Sequence, residues 1–156
     1  MKITLLSVGK TSNSEIEALV RGYERRLKHY VNFELNILEI PAKMKRKTEE
    51  EQKQAEGELI LNTIRHTSPL FLLDEKGKSL SSMAFSSFLQ TEMNRGPKEL
   101  VFCIGGAFGF SDAVYQKATK QISLSQMTFT HQMIRLFFTE QLYRAFTILR
   151  GEKYHH

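Results

Sequence analysis

Apolar and polar positions along the chain alternate between runs that suit buried strands and spacings that suit helices. Ile3 to Val8 is an apolar run closed by Gly9 and reads as a buried strand. From Ser14 onward, Ile16, Leu19, Val20, Tyr23 and Leu27 recur at helical spacing. Phe33 to Ile40 alternates as a second strand should, and Pro41 stops it. Thr48 with Glu51 three residues on forms a capping box for a second helix reaching about His66. Leu70 to Leu73, after Pro69, predicts a third, short strand. Ser81 or Ser82 caps a third helix with Met83, Phe85, Phe88, Leu89 and Met93 on its inner side, broken by Gly96-Pro97. Leu100 to Ile104 is a continuous apolar run, the pattern of a strand buried on both faces. A short helix after Ser111-Asp112, a brief strand around Ile122 to Leu124 and a last helix from His131 to Leu149 complete the reading. Strands alternating with helices predict an α/β fold around a mainly parallel sheet. With 156 residues and neither linker nor repeat, residues 1–156 are expected to form a single domain.

Composition narrows the class. No apolar run approaches the ~18 residues of a membrane span, and no small-residue cleavage site follows the apolar start Met1 to Leu6, so a cytoplasmic protein is expected. Cys103 is the single cysteine and sits inside an apolar run, which fits a buried structural thiol. One cysteine and five scattered histidines make a zinc site improbable, and no metal is expected. The net charge of +5 favours polyanionic partners without identifying one. The basic stretch Lys43 to Lys47, followed by Glu49 to Glu51, reads as a solvated loop before a helix or as a phosphate-contacting loop. Arg21, Arg25, Arg26 and Lys28 read chiefly as a solvated helix face.

In open α/β sheets ligands bind beyond the carboxyl ends of the strands. Three such ends stand out: Leu73 to Gly77, Gly105 to Gly109, and Ser123 to Thr130. The glycines permit either a tight turn or close approach to a ligand. Neither a dinucleotide fingerprint nor a P-loop fits the spacing, since Gly105-Gly106-x-x-Gly109 lacks the first Gly-x-Gly and Thr4 stands where a P-loop needs glycine. The hydroxyl-rich segment Ser123 to Phe129 can serve a polar ligand, with Thr130 capping the helix that follows. That helix carries an apolar band too wide for one-sided packing, which predicts burial against the sheet and against a second subunit. Glu140 and Arg144 are four apart and can form an ion pair. Tyr154-His155-His156 has no apolar reason to dock.

Taken in order, Met1-Lys2-Ile3 through Val8-Gly9-Lys10, Glu39-Ile40-Pro41, Leu73 with Gly77-Lys78, Ile104-Gly105-Gly106-x-x-Gly109, Ser123-Leu124-Ser125-x-Met127-Thr128-Phe129-x-His131, Glu140 to Ala145 and Tyr154-His155 resemble the SPOUT-class methyltransferases. Within that class the chain resembles the small family that N3-methylates a pseudouridine in large-subunit (23S) ribosomal RNA of the assembled ribosome. The resemblance implies a C-terminal trefoil knot, a homodimer and S-adenosylmethionine as cofactor. It implies a cofactor site of Leu73, Gly105, Leu124, Ser125, Gln126, Met127, Thr128 and Phe129. It places Glu140, Arg144, Tyr154 and His155 at active-site and RNA-contact positions, and His156 departs from the usual terminal Lys or Arg. On chemical grounds Arg144 suits stabilisation of an imide anion, and His155 suits the role of base or RNA contact. The competing readings are a non-catalytic ribosome assembly factor, a SPOUT enzyme acting on another RNA, and, more distantly, a flavodoxin-like carrier.

Overall fold

The computed structural model describes residues 1–44 and 48–155. Residues 45–47, which carry most of the basic stretch from Lys43, and residue 156 lie outside the described residues. Five strands, β1 (Lys2–Val8), β2 (Asn32–Leu38), β3 (Leu70–Ser79), β4 (Glu99–Ile104) and β5 (Lys120–Ser123), form one sheet in the order β2-β1-β4-β3-β5, with every pair parallel. Four helices connect them, α1 (Ser14–Leu27), α2 (Glu49–Thr63), α3 (Ser82–Asn94) and α4 (Asp112–Lys117), and a fifth, α5 (His131–Leu149), follows β5. This is the α/β architecture the periodicity predicts.

Strand alternation divides the core into two layers. Ile3, Leu5, Phe71, Phe102 and Ile104 face α1, α3 and α5, where Phe85, Phe138 and Leu142 are buried against them. Leu6, Val8, Leu72 and Cys103 face the other way, onto Ile60 of α2 and Val114 of α4. The first layer is dominated by aromatic rings: Phe102 lies 5.1 Å from Phe71 and 4.8 Å from Phe138, tilted as ring quadrupoles prefer. Cys103 is fully buried, and burial pushes its thiol well above the ordinary range, so it packs as a small hydrophobe.

Three of the helix starts follow the chain's hydroxyls. Thr48 and Glu51 close the capping box, Ser81 accepts from the Ala84 N–H at 3.1 Å, and Thr130 accepts from the Met133 N–H at 3.4 Å. Several boundaries differ from the sequence reading. β2 ends at Leu38 rather than Ile40, α2 ends at Thr63, and β5 begins two residues earlier, at Lys120. β3 does not stop at Leu73; it bulges and resumes pairing at Lys78 and Ser79. Met83 is 53% exposed rather than inward, because it lies two residues from Phe85, roughly 200° around the helix at 100° per residue. Leu19 is also exposed, at 54%, and borders a groove between α1, α3 and α5. Arg21, Arg25 and Arg26 of α1 and Lys28 at its C-cap are exposed as expected; Arg21 pairs with Glu17, and Arg26 lies over the rings of Tyr23 and Tyr143.

Candidate functional site

The carboxyl ends of β3, β4 and β5 open into a cavity of about 420 Å³. Its walls are the three chain segments singled out in the sequence, and each arrives there for a local reason. After Leu73, strand β3 bulges outward over Asp74 to Gly77, because Leu73 and Lys78 are both registered against Ile122 of β5. The bulge brings Asp74, Glu75 and Lys76 to the cavity wall. Two contacts hold them: the Tyr115 hydroxyl donates to Asp74 Oδ2, and the Thr128 hydroxyl donates to Glu75 Oε2 at 3.1 Å. Burial, followed by that hydrogen bond to Asp74, raises the Tyr115 phenol far above its ordinary range, so it stays a donor.

The second wall, Gly105 to Gly109, is a turn in which the Gly109 N–H donates to the Gly106 carbonyl at 3.2 Å. Gly109 has φ +80°, a region costly for side chains with a Cβ. Gly105 is needed for closeness instead, since a Cβ there would stand 3.2 Å from the Phe110 ring. The third wall is folded by its own hydroxyls. Ser123 donates to the Ser125 carbonyl at 2.7 Å, and Ser125 accepts from the Met127 N–H at 2.9 Å.

Leu73, Gly105, Leu124, Ser125, Met127, Thr128 and Phe129 all line the cavity. Gln126, expected with them, is exposed and outside the lining, at the tip of the turn that Ser125 closes. Met127 and Phe108 are exposed at the rim. Two carboxylates against one lysine give the wall an acidic bias, and Leu73, Ile104, Leu124 and Ile134 supply an apolar floor. Such a cavity suits a ligand with a flat apolar part, hydroxyls and positive charge. Asp74, Glu75 and Tyr115 were not singled out as site residues in the sequence, and nothing in the sequence ties Tyr115 to Asp74, 41 residues away.

Glu140, Arg144, Tyr154 and His155 come together elsewhere, on α5 and the tail. Glu140 Oε1 accepts from Arg144 Nη2 at 2.6 Å and Nε at 3.0 Å, and from the Tyr154 hydroxyl at 3.1 Å. The Arg144 guanidinium lies 4.7 Å from the Tyr154 ring centroid, and its Nη1 is 3.4 Å from His155 Nδ1. The pair is only a fifth to a quarter exposed, so it is not the surface pair its spacing alone suggests. The bond to Glu140 raises the guanidinium's pKa further. Nor is the tail undocked: Tyr154 packs edge-on against Tyr143 at 4.9 Å, and its phenol is raised chiefly by burial.

None of these four residues lines the 420 Å³ cavity. Glu140 borders a second, more apolar groove of about 690 Å³, and the two spaces share one wall, Ser123 to Ser125 with Phe129. Leu19, Leu136 and Phe137 complete the apolar side of that groove.

The family model described as "Predicted SPOUT methyltransferase" matches residues 1–155. The chain is 54% identical to a protein of Christiangramia forsetii and 55% identical to one of Flavobacterium psychrophilum, in each case over all of this chain and 99% of the relative. It is 52% identical over the same shares to a protein of Porphyromonas gingivalis. All three relatives bear the name "Ribosomal RNA large subunit methyltransferase H".

Proposed function

The chain belongs to the SPOUT methyltransferase family and is a methyltransferase, and on that premise we propose that it moves a methyl group from S-adenosylmethionine to N3 of a pseudouridine in large-subunit ribosomal RNA. The substrate is the assembled ribosome in the cytoplasm. The observation that carries this reading is the pairing of an acidic, glycine-walled cavity with a carboxylate-held arginine on the far side of the Ser123 to Phe129 loop. The relatives' name favours ribosomal RNA over other acceptors.

The cavity fits the cofactor. The floor of Leu73, Ile104, Leu124 and Ile134 suits the adenine ring, and Asp74 and Glu75 suit its hydroxyls and positive charges. The segments at Leu73 to Ser79, Gly105 to Gly109 and Ser123 to Thr130 would be the loops of the family's trefoil knot. Bound there, S-adenosylmethionine supplies an electrophilic methyl group, so the residues of the chain have to align, desolvate and manage one proton. Arg144, held in one orientation by Glu140, stabilises the imide anion left when N3 loses its proton. His155 touches Arg144 through Nδ1. A neutral imidazole has a single acceptor nitrogen, so while Nδ1 accepts from Arg144 the ring can only donate. His155 acts as base once its Nδ1 swings off Arg144, which stays on Glu140, and as an RNA contact before that. His155→Ala is expected to lower turnover about a hundredfold, the lower end of a general-base effect, with cofactor affinity unchanged. Turnover equal to the unmodified enzyme would remove His155 from the reaction.

Because Glu140 to His155 do not reach the cofactor cavity of their own chain, a second copy completes the site. The proposed homodimer packs the groove of Leu19, Leu136 and Phe137 against its equivalent, which would cover the half-exposed band of α5. Light scattering at micromolar concentration should give about twice the 18.1 kDa chain mass; a monomer would end the shared-site reading. The function itself is tested by titrating S-adenosylmethionine calorimetrically, then supplying labelled cofactor with undermethylated ribosomes. Transfer to one large-subunit pseudouridine is the expected result. Binding without transfer would redirect the search to another RNA. No binding would leave a ribosome-associated factor on a methyltransferase fold.

A further inference from the structure

Helix α2 runs behind the glycine loop, not along the cavity. Glu56 on it is 2% exposed, and its carboxyl presses on Gly106: a Cβ built there would stand 2.1 Å from Oε2 and 2.6 Å from Cδ. Gln52 donates to Glu56 Oε1 at 2.8 Å, while Oε2 is buried without a hydrogen-bond partner among the described residues. The next residue, Gly57, meets the chain just beyond the other end of the loop, where a Cβ would stand 2.1 Å from the Ser111 hydroxyl. Two adjacent residues of α2 therefore bracket the Gly105 to Gly109 turn from behind, at contacts so close that a Cβ on Gly106 or Gly57 would force its neighbours to shift.

Burying a carboxyl without full hydrogen bonding is costly, and burial raises the Glu56 pKa toward the neutral acid. Among the described residues no ion pair offsets that cost. Arg135 and His131 of α5 and Lys10 after β1 border the same small cavity of about 210 Å³. The Arg135 guanidinium donates instead to Ser7 Oγ, Thr11 Oγ and the carbonyls of Val8 and Gly9. A hydrophobic residue would fill this position more cheaply if packing were its only duty.

We infer that Glu56 is a positioning residue for the cofactor site, its buried carboxyl acting as the back-stop that fixes Gly106 and with it the wall formed by Gly105 to Gly109. The inference rests on the reading of that cavity as the S-adenosylmethionine site. Shortening the acid lets the wall fall back, and adding a Cβ at Gly106 drives it forward into the ligand's space; the two errors oppose each other.

The test is calorimetric titration of S-adenosylmethionine into the full chain and four variants, with thermal midpoints and steady-state rates measured alongside. Glu56→Ala and Gly106→Ala should each weaken binding about tenfold, whereas the pair combined should bind no worse than either alone, because the new methyl enters the vacated space. Glu56→Gln, which keeps the shape of the neutral acid, should bind close to the unmodified chain and more tightly than Glu56→Ala, because volume-conserving swaps are tolerated best. At saturating cofactor kcat should be unchanged in Glu56→Ala, with the loss confined to a raised cofactor KM; a merely structural role would lower kcat and the thermal midpoint as well. Wild-type affinity in Glu56→Ala, or losses that add in the double variant, would overturn the inference while leaving the cofactor reading intact. An unmodified chain that binds no cofactor would overturn both. If Glu56→Ala fails to fold, Glu56→Asp decides, since it withdraws the carboxyl from Gly106 by one methylene. Weakened binding supports the back-stop, and full-strength binding ends it.

Discussion

Replacing Arg144 with alanine should lower methyl transfer by about two to three orders of magnitude, the usual loss when one preorganised donor to a developing anion is removed. Cofactor affinity should hardly change, because Arg144 does not line the cavity proposed for the cofactor. The size of the effect follows from how the side chain is held. Two of its nitrogens converge on one oxygen of Glu140, the Tyr154 hydroxyl shares that oxygen, and the Tyr154 ring covers the guanidinium. Orientation is thus settled before RNA arrives, and no reorganisation is needed as charge develops. Arg144→Lys keeps the charge but cannot repeat the two-nitrogen contact, so it should recover only part of the rate. Glu140→Gln should resemble the lysine variant, since it loosens the same orientation without removing the cation. Single-turnover rates with saturating labelled cofactor separate these cases. A parallel fall in cofactor affinity for Arg144→Ala would mean that the residue supports the fold and has no part in the chemistry.

The contrast between the two halves of the site explains what a sequence reader can recover. Leu100 to Ile104 and the glycines after it announce a buried strand emptying into a turn, because burial on both faces leaves a continuous apolar run and tight turns need glycine. Both are local causes with local signatures. The Glu140 and Arg144 pair was likewise legible from its four-residue spacing, but its burial was not, since that depends on Tyr154 folding back over it. Arg135 shows the limit most clearly. It sits inside the apolar band of α5 and is 1% exposed, yet its partners Ser7, Thr11, Val8 and Gly9 lie more than a hundred residues away. A charged residue in such a band marks that something must receive it; only the folded chain says what. Glu56 is the same case on α2, a helix whose capping box is plain in the sequence while its buried acid reads like any solvated glutamate. Met83 fails in the opposite direction: it is apolar and close to the right spacing, but on the wrong side of the helix.

Gly77 provides the second large effect and the most direct test of how the site is built. In the sequence it closes the segment Leu73 to Gly77, beyond the end of a short strand. In the structure β3 continues past it, and what looked like a terminus is the far side of the Asp74 to Gly77 bulge. The glycine is needed there for space, since its φ is not in the left-handed region. A Cβ would stand 2.5 Å from the Ile122 nitrogen and within 2.7 Å of the carbonyl carbons of Gln121 and Ile122. Those are backbone atoms of a paired strand, so nothing can swing aside, and β3 and β5 must part. Gly77→Ala should therefore cost about 3 kcal/mol, the upper range for overpacking, seen as a fall of roughly 10 °C in thermal midpoint for a domain of this size. The control is Gly22→Ala on α1, where a Cβ meets nothing within 4 Å. That substitution should stabilise by about 0.5–1 kcal/mol through helix propensity. The two alanines thus shift stability in opposite directions for opposite steric reasons. Because β5 leads directly into Ser123 to Phe129, Gly77→Ala should also weaken cofactor binding even where the protein remains folded. A Gly77→Ala protein with unchanged midpoint and affinity would mean that β3 does not run against β5 at this point, and the bulge that carries Asp74 and Glu75 into the cavity would have to be redrawn.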